Sequence, residues 1–292
     1  MTSTTPPFVS VIIPVYNNTD GIHKAITALM AQTYPADRFE VVVADNNSND
    51  GTGAIVDTLA ERYPGRVRRV VESRVQTSYA ARNKGIEEAR GEVFAFTDSD
   101  CIPDARWIEA GVAGLVREDA ACGGGGVEFT FHRERPNVYE YFDSARKLNQ
   151  RSYVVDSGFA ATANFFARAR LFTDYGPFLG DLVSGGDYEF GRRVTARGEK
   201  LIYIEDAVVG HPARRTYREI VKKSRRVAQG QRQLAQRGLL KRPRAGWRQI
   251  LPARSWPKDG KWDRTLTLIE KAQLLWVQTA IRWSTARVKA EG

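Results

Sequence analysis

The residues best able to do chemistry are two carboxylates placed where an apolar run stops. Val93-Phe-Ala-Phe-Thr97 is followed by Asp98-Ser99-Asp100-Cys101-Ile102-Pro103. A run of apolar and β-branched residues reads as a strand buried on both faces, so the acids fall at its carboxyl end. Side chains alternate along extended backbone, which lets positions 98 and 100 point the same way and brings two like charges together. That pairing is costly unless a cation lies between them. A divalent ion held by one or two carboxylates and by substrate phosphates is the usual form of a magnesium site. By itself the stretch also reads as a polar turn, because Asp and Ser are turn formers and Asp104 can cap the next helix.

The elements that must position these acids repeat one pattern. Residues 8–15 form an apolar strand containing Pro14, and the chain leaves it through Tyr16-Asn17-Asn18. Thr19 or Asp20 can cap a helix running to position 32. A second buried strand over 39–44 ends in Asp45-Asn46-Asn47-Ser48-Asn49-Asp50-Gly51. A helix near 52–62, a strand over 67–71 and a helix over 77–89 closed by Gly91 lead into the strand at Val93. Strands and helices alternating in this way predict an α/β fold, a mostly parallel doubly wound sheet with right-handed crossovers. Ligands of such sheets bind beyond the carboxyl ends of the strands, where Asp45, Asp98 and Asp100 all fall. No Gly-x-Gly-x-x-Gly follows the first strand and no Gly-Lys-Ser/Thr occurs, which argues against a dinucleotide cofactor and a phosphate loop.

Composition fits an ordinary globular protein: 292 residues, 42% apolar, allow one large or two modest domains. No run of ~18 apolar residues is present. The start of the chain is polar and Pro-rich, so neither a cleaved leader nor a spanning helix is expected. Cys101 and Cys122 read as free thiols. The net charge of +10 is unevenly spread. Residues 1–210 carry 23 Lys and Arg against 29 Asp and Glu, whereas residues 211–292 carry 21 against 5. The last third is therefore expected to meet something anionic, such as phosphates, nucleic acid or a membrane surface.

Several segments together resemble the successive motifs of family 2 glycosyltransferases: Ser10-Val-Ile-Ile-Pro-Val-Tyr-Asn17, Val43-Ala-Asp-Asn-Asn-Ser-Asn-Asp-Gly-Thr52, Ala81-Arg-Asn-Lys-Gly-Ile86, Thr97-Asp-Ser-Asp-Cys101 and Gly185-Gly-Asp-Tyr-Glu189. The resemblance implies the GT-A fold and a metal-dependent, inverting enzyme of the hexosyltransferase type that takes a sugar from a nucleotide-sugar donor to a hydroxyl. It implies that Pro14, Tyr16 and Asp45 hold the nucleotide, with the Asp45 carboxylate accepting the imide N–H of uracil, so that a UDP-sugar is the expected donor. Arg82 and Asp98 would complete the donor pocket, with Asp98 facing the ribose or the metal. Asp100 and, at the end of a later strand, His211 would ligate Mg2+ or Mn2+. Asp187 would be the general base. The family's base normally follows a Glu, and Gly186 stands there instead. Asp45 also reads as a turn residue, Arg82 as a structural ion-pair partner and Asp187 as a helix N-cap.

In the second half, Gly123 to Gly126 are expected to precede an exposed strand over 127–131, where they fit either close backbone approach to a sugar or a flexible connection. Asp187, Phe190 and Val194 share one helix face, so the carboxylate is predicted to point inward with the apolar side chains. Short strands are expected over 200–204 and 207–209. The catalytic domain is thus expected over 1–211 and a basic helical acceptor or membrane-associating region over 212–292. There, Ile220, Ser224, Val227, Gln231 and Leu234 form a thin stripe on a basic helix, and residues 241–261 read as a basic loop. Ile269, Ala272, Trp276, Ala280 and Trp283 line a final helix over 266–288. A Trp-bearing apolar face beside basic residues can lie in a membrane interface, or the helix can pack on the body. The expected partners are a nucleotide-sugar donor and a lipid-linked or saccharide acceptor. The expected location is cytoplasmic, peripheral at the inner face of the cell membrane. Gln229-Gly-Gln-Arg-Gln233 lacks the Trp that ends the Gln-x-x-Arg-Trp signature of processive synthases, so single transfers are expected. Two other classes compete: a sugar-phosphate nucleotidyltransferase, which would want a Gly-rich basic loop after the first strand, and a nucleic-acid binder using the basic tail.

Overall fold

The structure, a computed structural model, describes residues 5–146, 148–241, 251–258 and 262–290. Two compact units emerge. The first comprises the chain up to Glu128 together with Asn149–Leu182 and Gly186–His211; the second comprises Phe129–Leu148, Val183–Gly185 and the chain from Pro212 onward. Residues 129–148, which the sequence reading places with the first region, thus belong to the second unit.

The sheet has eight strands. β1 (Val9–Val15), β2 (Phe39–Asp45), β3 (Val67–Val71) and β4 (Val93–Thr97) alternate with α1 (Thr19–Met30), α2 (Thr52–Arg62) and α3 (Ser78–Glu88). β5 (Ile102–Pro103), α4 (Trp107–Arg117) and β6 (Cys122–Thr130) follow; then come α5 (Val138–Ala145), α6 (Gln150–Ser157) and β7 (Asn164–Arg168). α7 (Arg170–Asp174), α8 (Gly186–Thr195) and β8 (Leu201–Pro212) lead to α9 (Tyr217–Gln236) and α10 (Leu268–Ala290). The strand order is β3-β2-β1-β4-β7-β6-β8-β5.

The half formed by β3, β2, β1 and β4 is parallel. β1, β2 and β4 are buried at every position because helices cover both faces. Beyond β4 the pairing turns antiparallel, with β4 on β7, β7 on β6 and β8 on β5. The glycines expected before the strand over 127–131 lie inside β6 itself. A Cβ on Gly125 would meet the Ala207 carbonyl oxygen at 2.1 Å, and one on Gly124 would meet the Ala160 Cβ at 2.6 Å. These glycines therefore admit close packing within the protein and are not a flexible connection. The two short strands expected over 200–209 are one strand, β8, which runs on through His211.

In the second unit α5, α9 and α10 share a small core of Val138, Tyr141, Phe142, Ile220, Leu274, Val277 and Ile281. Of the thin stripe expected on α9, Ile220, Ser224 and Leu234 are buried and Val227 is exposed, while Val221 and Ala228 are buried as well. Most of the expected basic loop over 241–261 lies outside the described residues.

Candidate active site

The first unit gathers its polar side chains at the carboxyl ends of β1, β2 and β4. In parallel strands these ends open into loops that need partners for their backbone, and here side chains supply them. Pro14 pairs across the ladder with Ala44 and Val15 with Asp45. Tyr16, just past β1, is exposed. The Asn17 N–H donates to Ser48 Oγ at 3.0 Å, and its side-chain amide exchanges hydrogen bonds with Asn49 at 3.0 and 2.9 Å. Asn18, not Thr19 or Asp20, caps α1, accepting from the Gly21 N–H at 3.1 Å. Its amide also donates to Ser99 Oγ at 3.0 Å, between the two acids that follow β4. Asn17, Asn18, Ser48 and Ser99 thus bind the three loops to one another.

Asp45 is buried, and its carboxylate accepts the Ser48 N–H at 2.9 Å while Arg69 lies 3.4 Å away. The turn reading of this residue therefore holds geometrically, with a guanidinium added that the sequence did not reveal. Arg69 is itself clasped by Asp57, which with Asp45 raises its pKa further.

Asp98, Asp100, Cys101 and His211 each place one ligand atom within 4.8 Å of the others. The sequence analysis did not place Cys101 in this group and read it only as a free thiol. The geometry follows from β5, whose Ile102 pairs with Gly210 of β8 and so draws the neighbouring His211 to the residues after β4. Two carboxylates and an imidazole make an oxygen-rich donor set that suits Mg2+ or Mn2+. Burial, reinforced by Asp98 and Asp100, pushes the Cys101 pKa well above its ordinary value.

Arg82 is almost fully buried and ion-paired with Asp98, and its guanidinium lies 5.5 Å from the Tyr79 ring. Its Nε is buried without a hydrogen-bond partner among the described residues. Tyr79 in turn donates its hydroxyl to Asp187 Oδ1 at 3.1 Å. Asp187 stands in the first turn of α8, with Phe190 and Val194 buried on that helix as the spacing predicts. Glu189 faces elsewhere and holds Arg193 at 2.8 Å. A chain of contacts thus runs from the Asp98 cluster through Arg82 and Tyr79 to Asp187. Asn83, next to Arg82 on α3, spends its amide on the backbone of Phe178 at 2.8 and 3.1 Å.

The family described as Glycosyl transferase family 2 matches residues 10–176. Glycosyltransferase AglE of Haloferax volcanii is 41% identical over 237 residues, covering 80% of this chain and 76% of that protein. The probable glycosyltransferase YdaM of Bacillus subtilis is 32% identical over 118 residues, covering 39% of this chain and 28% of that protein. Among solved structures, the mannosyltransferase PcManGT from Pyrobaculum calidifontis, in complex with GDP-Man and Mn2+, aligns with a TM-score of 0.62 at 19% identity, over 99% of this chain and 74% of that one. S. aureus TarS 1-349 in complex with UDP-GlcNAc aligns with a TM-score of 0.55 at 20% identity, over 78% and 73%.

Proposed function

Because the chain belongs to glycosyl transferase family 2 and has the GT-A fold, we propose that it is a hexosyltransferase that moves a sugar, with inversion, from a nucleoside diphosphate sugar to a hydroxyl. The preferred donor is a UDP-sugar and the acceptor a lipid-linked or saccharide molecule. The observation that carries this reading is the convergence of Asp98, Asp100 and His211 at the rim of the sheet.

Asp100 and His211, with Asp98 beside them, would hold Mg2+ or Mn2+, which when bound would supply a Lewis acid for the leaving diphosphate. Asp45, with Pro14 and Tyr16 around it, receives the nucleobase. Its buried carboxylate is fixed by Ser48 and Arg69 and accepts an N–H from the base. Arg82 orients Asp98, and its unpartnered buried Nε is a donor suited to an anionic ligand. Asp187 takes the proton of the attacking hydroxyl, on the side opposite the leaving group.

Residues 1–211 carry donor binding and chemistry, and 212–292 the acceptor or membrane contact. On α10 the side chains of Ile269, Ala272, Trp276 and Trp283 are exposed, while Leu274, Val277 and Ile281 are the ones packed in the core. The helix therefore packs through one face, while the Trp-bearing face stays partly exposed, with the Trp276 ring 4.7 Å from that of Tyr217, in a part of the chain rich in Lys and Arg. That combination suits an anionic lipid surface at the inner face of the cell membrane. Among the described residues no helix is long and apolar enough to cross a membrane.

Thermal-shift titration with UDP and with GDP, each with and without Mn2+, tests the donor site. Stabilisation by one of them only with metal, lost in Asp100→Ala, is expected; metal-independent stabilisation overturns the reading. Asp187→Asn is expected to keep donor binding and lose ~10²- to 10⁴-fold in transfer rate. Flotation with anionic liposomes tests the membrane contact, which truncation after Gly238 should remove.

A further inference from the structure

We propose that Tyr79 is a positioning residue for Asp187, and that Gly186 is glycine to make room for it. The inference rests on Asp187 being the general base. Two independent geometric facts support it. The Tyr79 hydroxyl donates to Asp187 Oδ1 at 3.1 Å, and the Tyr188 N–H donates to the same oxygen at 2.9 Å. With Oδ1 held by two donors, Oδ2 is the oxygen presented to take a proton. The second fact is steric: a Cβ at position 186 would lie 2.9 Å from three ring carbons of Tyr79. That ring cannot swing aside, because it is buried, packs on Phe178 at 5.7 Å between centroids and carries the Arg82 guanidinium at 5.5 Å. The space beside the base is thus filled by a phenol arriving from α3, which accounts physically for the missing side chain at 186.

The phenol also stays a donor. Burial first, and then the Asp187 carboxylate, raise its pKa far above the working range, with Arg82 opposing.

Tyr79→Phe keeps the ring and removes only the hydroxyl. With UDP release from a UDP-sugar as the readout, kcat is expected to fall about 10-fold, the loss of a hydrogen bond to a charged group, while the donor KM and the melting temperature stay unchanged. Gly186→Ala is expected to lower the melting temperature by several degrees in the parent chain, and to cost little more in a Tyr79→Ala background where the ring is gone. Unchanged kcat in Tyr79→Phe, or an equal Gly186→Ala penalty in both backgrounds, overturns the inference. If Asp187→Asn is inactive while Tyr79→Phe is fully active, the inference alone fails. If Asp187→Asn retains full activity, the base assignment falls and takes the inference with it.

Discussion

The two units solve the same electrostatic problem differently. Each buries one carboxylate between two cations: Glu40 between Arg68 and Arg90 in the first, Asp143 between Arg214 and Lys223 in the second. Glu40 sits on a strand in a large apolar core and receives further hydrogen bonds from Ser10 Oγ at 2.7 Å and the Arg90 N–H at 3.0 Å. Burial works against it, but the bonds from Arg68, Ser10 and Arg90 hold its pKa down at about 2. Asp143 has a small three-helix core around it, and its pKa is lowered by Lys223 and Arg214 against the cost of burial. The strain there shows on the cation. Burial, and then Arg214, push Lys223 down to about 8 despite its bond to Asp143. A deep core with spare donors makes a buried acid a stable fixture; a shallow core crowded with cations makes the acid the one thing holding them together.

The sharpest way to break this comparison is Asp143→Ala, which leaves Arg214 and Lys223 facing each other. A loss of about 3 to 5 kcal/mol is expected by urea unfolding; under 1 kcal/mol would show that solvent already screens the pair. Next comes acid titration of Glu40. With its folded pKa at about 2 against 4.5 unfolded, its contribution is complete above pH 4.5 and disappears as pH falls toward 2. About 3 kcal/mol should be lost over that window, and Glu40→Gln should flatten the curve there. Lys223 gives the opposite sign. Its charged form opposes folding below pH 8, so its share of stability grows as pH rises from about 8 to 10.5. Lys223→Met should remove that rise, seen as a flat unfolding midpoint across the window. The smallest expected effect is the double change Trp276→Ser with Trp283→Ser. Both side chains are about half exposed and Trp276 packs on the Tyr217 ring, so stability should fall by about 0.5 to 1.5 kcal/mol, while liposome binding falls if this face meets lipid.

Much of the first unit was legible. The apolar runs at 8–15, 39–44 and 93–97 specify buried strands because nothing else hides that many consecutive apolar side chains, and an acid after such a run can only sit at the sheet's rim. The spacing of Asp187, Phe190 and Val194 gave the inward face of α8 for the same reason of period. Less legible were contacts made across long stretches of chain. Asn18 reaching Ser99, Arg69 reaching Asp45 and Tyr79 reaching Asp187 carry no local signal, since each is an ordinary residue type until the fold brings its partner near. The four glycines of β6 read equally as linker or close approach, and only their neighbours decide between the two. On α10 the sequence picked out the Trp-bearing stripe, but a second apolar face, Leu274, Val277 and Ile281, was the one chosen for the core.

By itself, the sequence determined the alternating α/β order, the acids at the strand ends and the split between an acidic body and a basic last third. Periodicity and charge are local properties that survive without a fold. The tertiary structure decided that His211 stands beside Asp98, Asp100 and Cys101, and that Tyr79 fills the space a side chain at 186 would need. Those are distances between residues far apart in the chain, set by strand pairing and close packing, which composition and spacing do not encode.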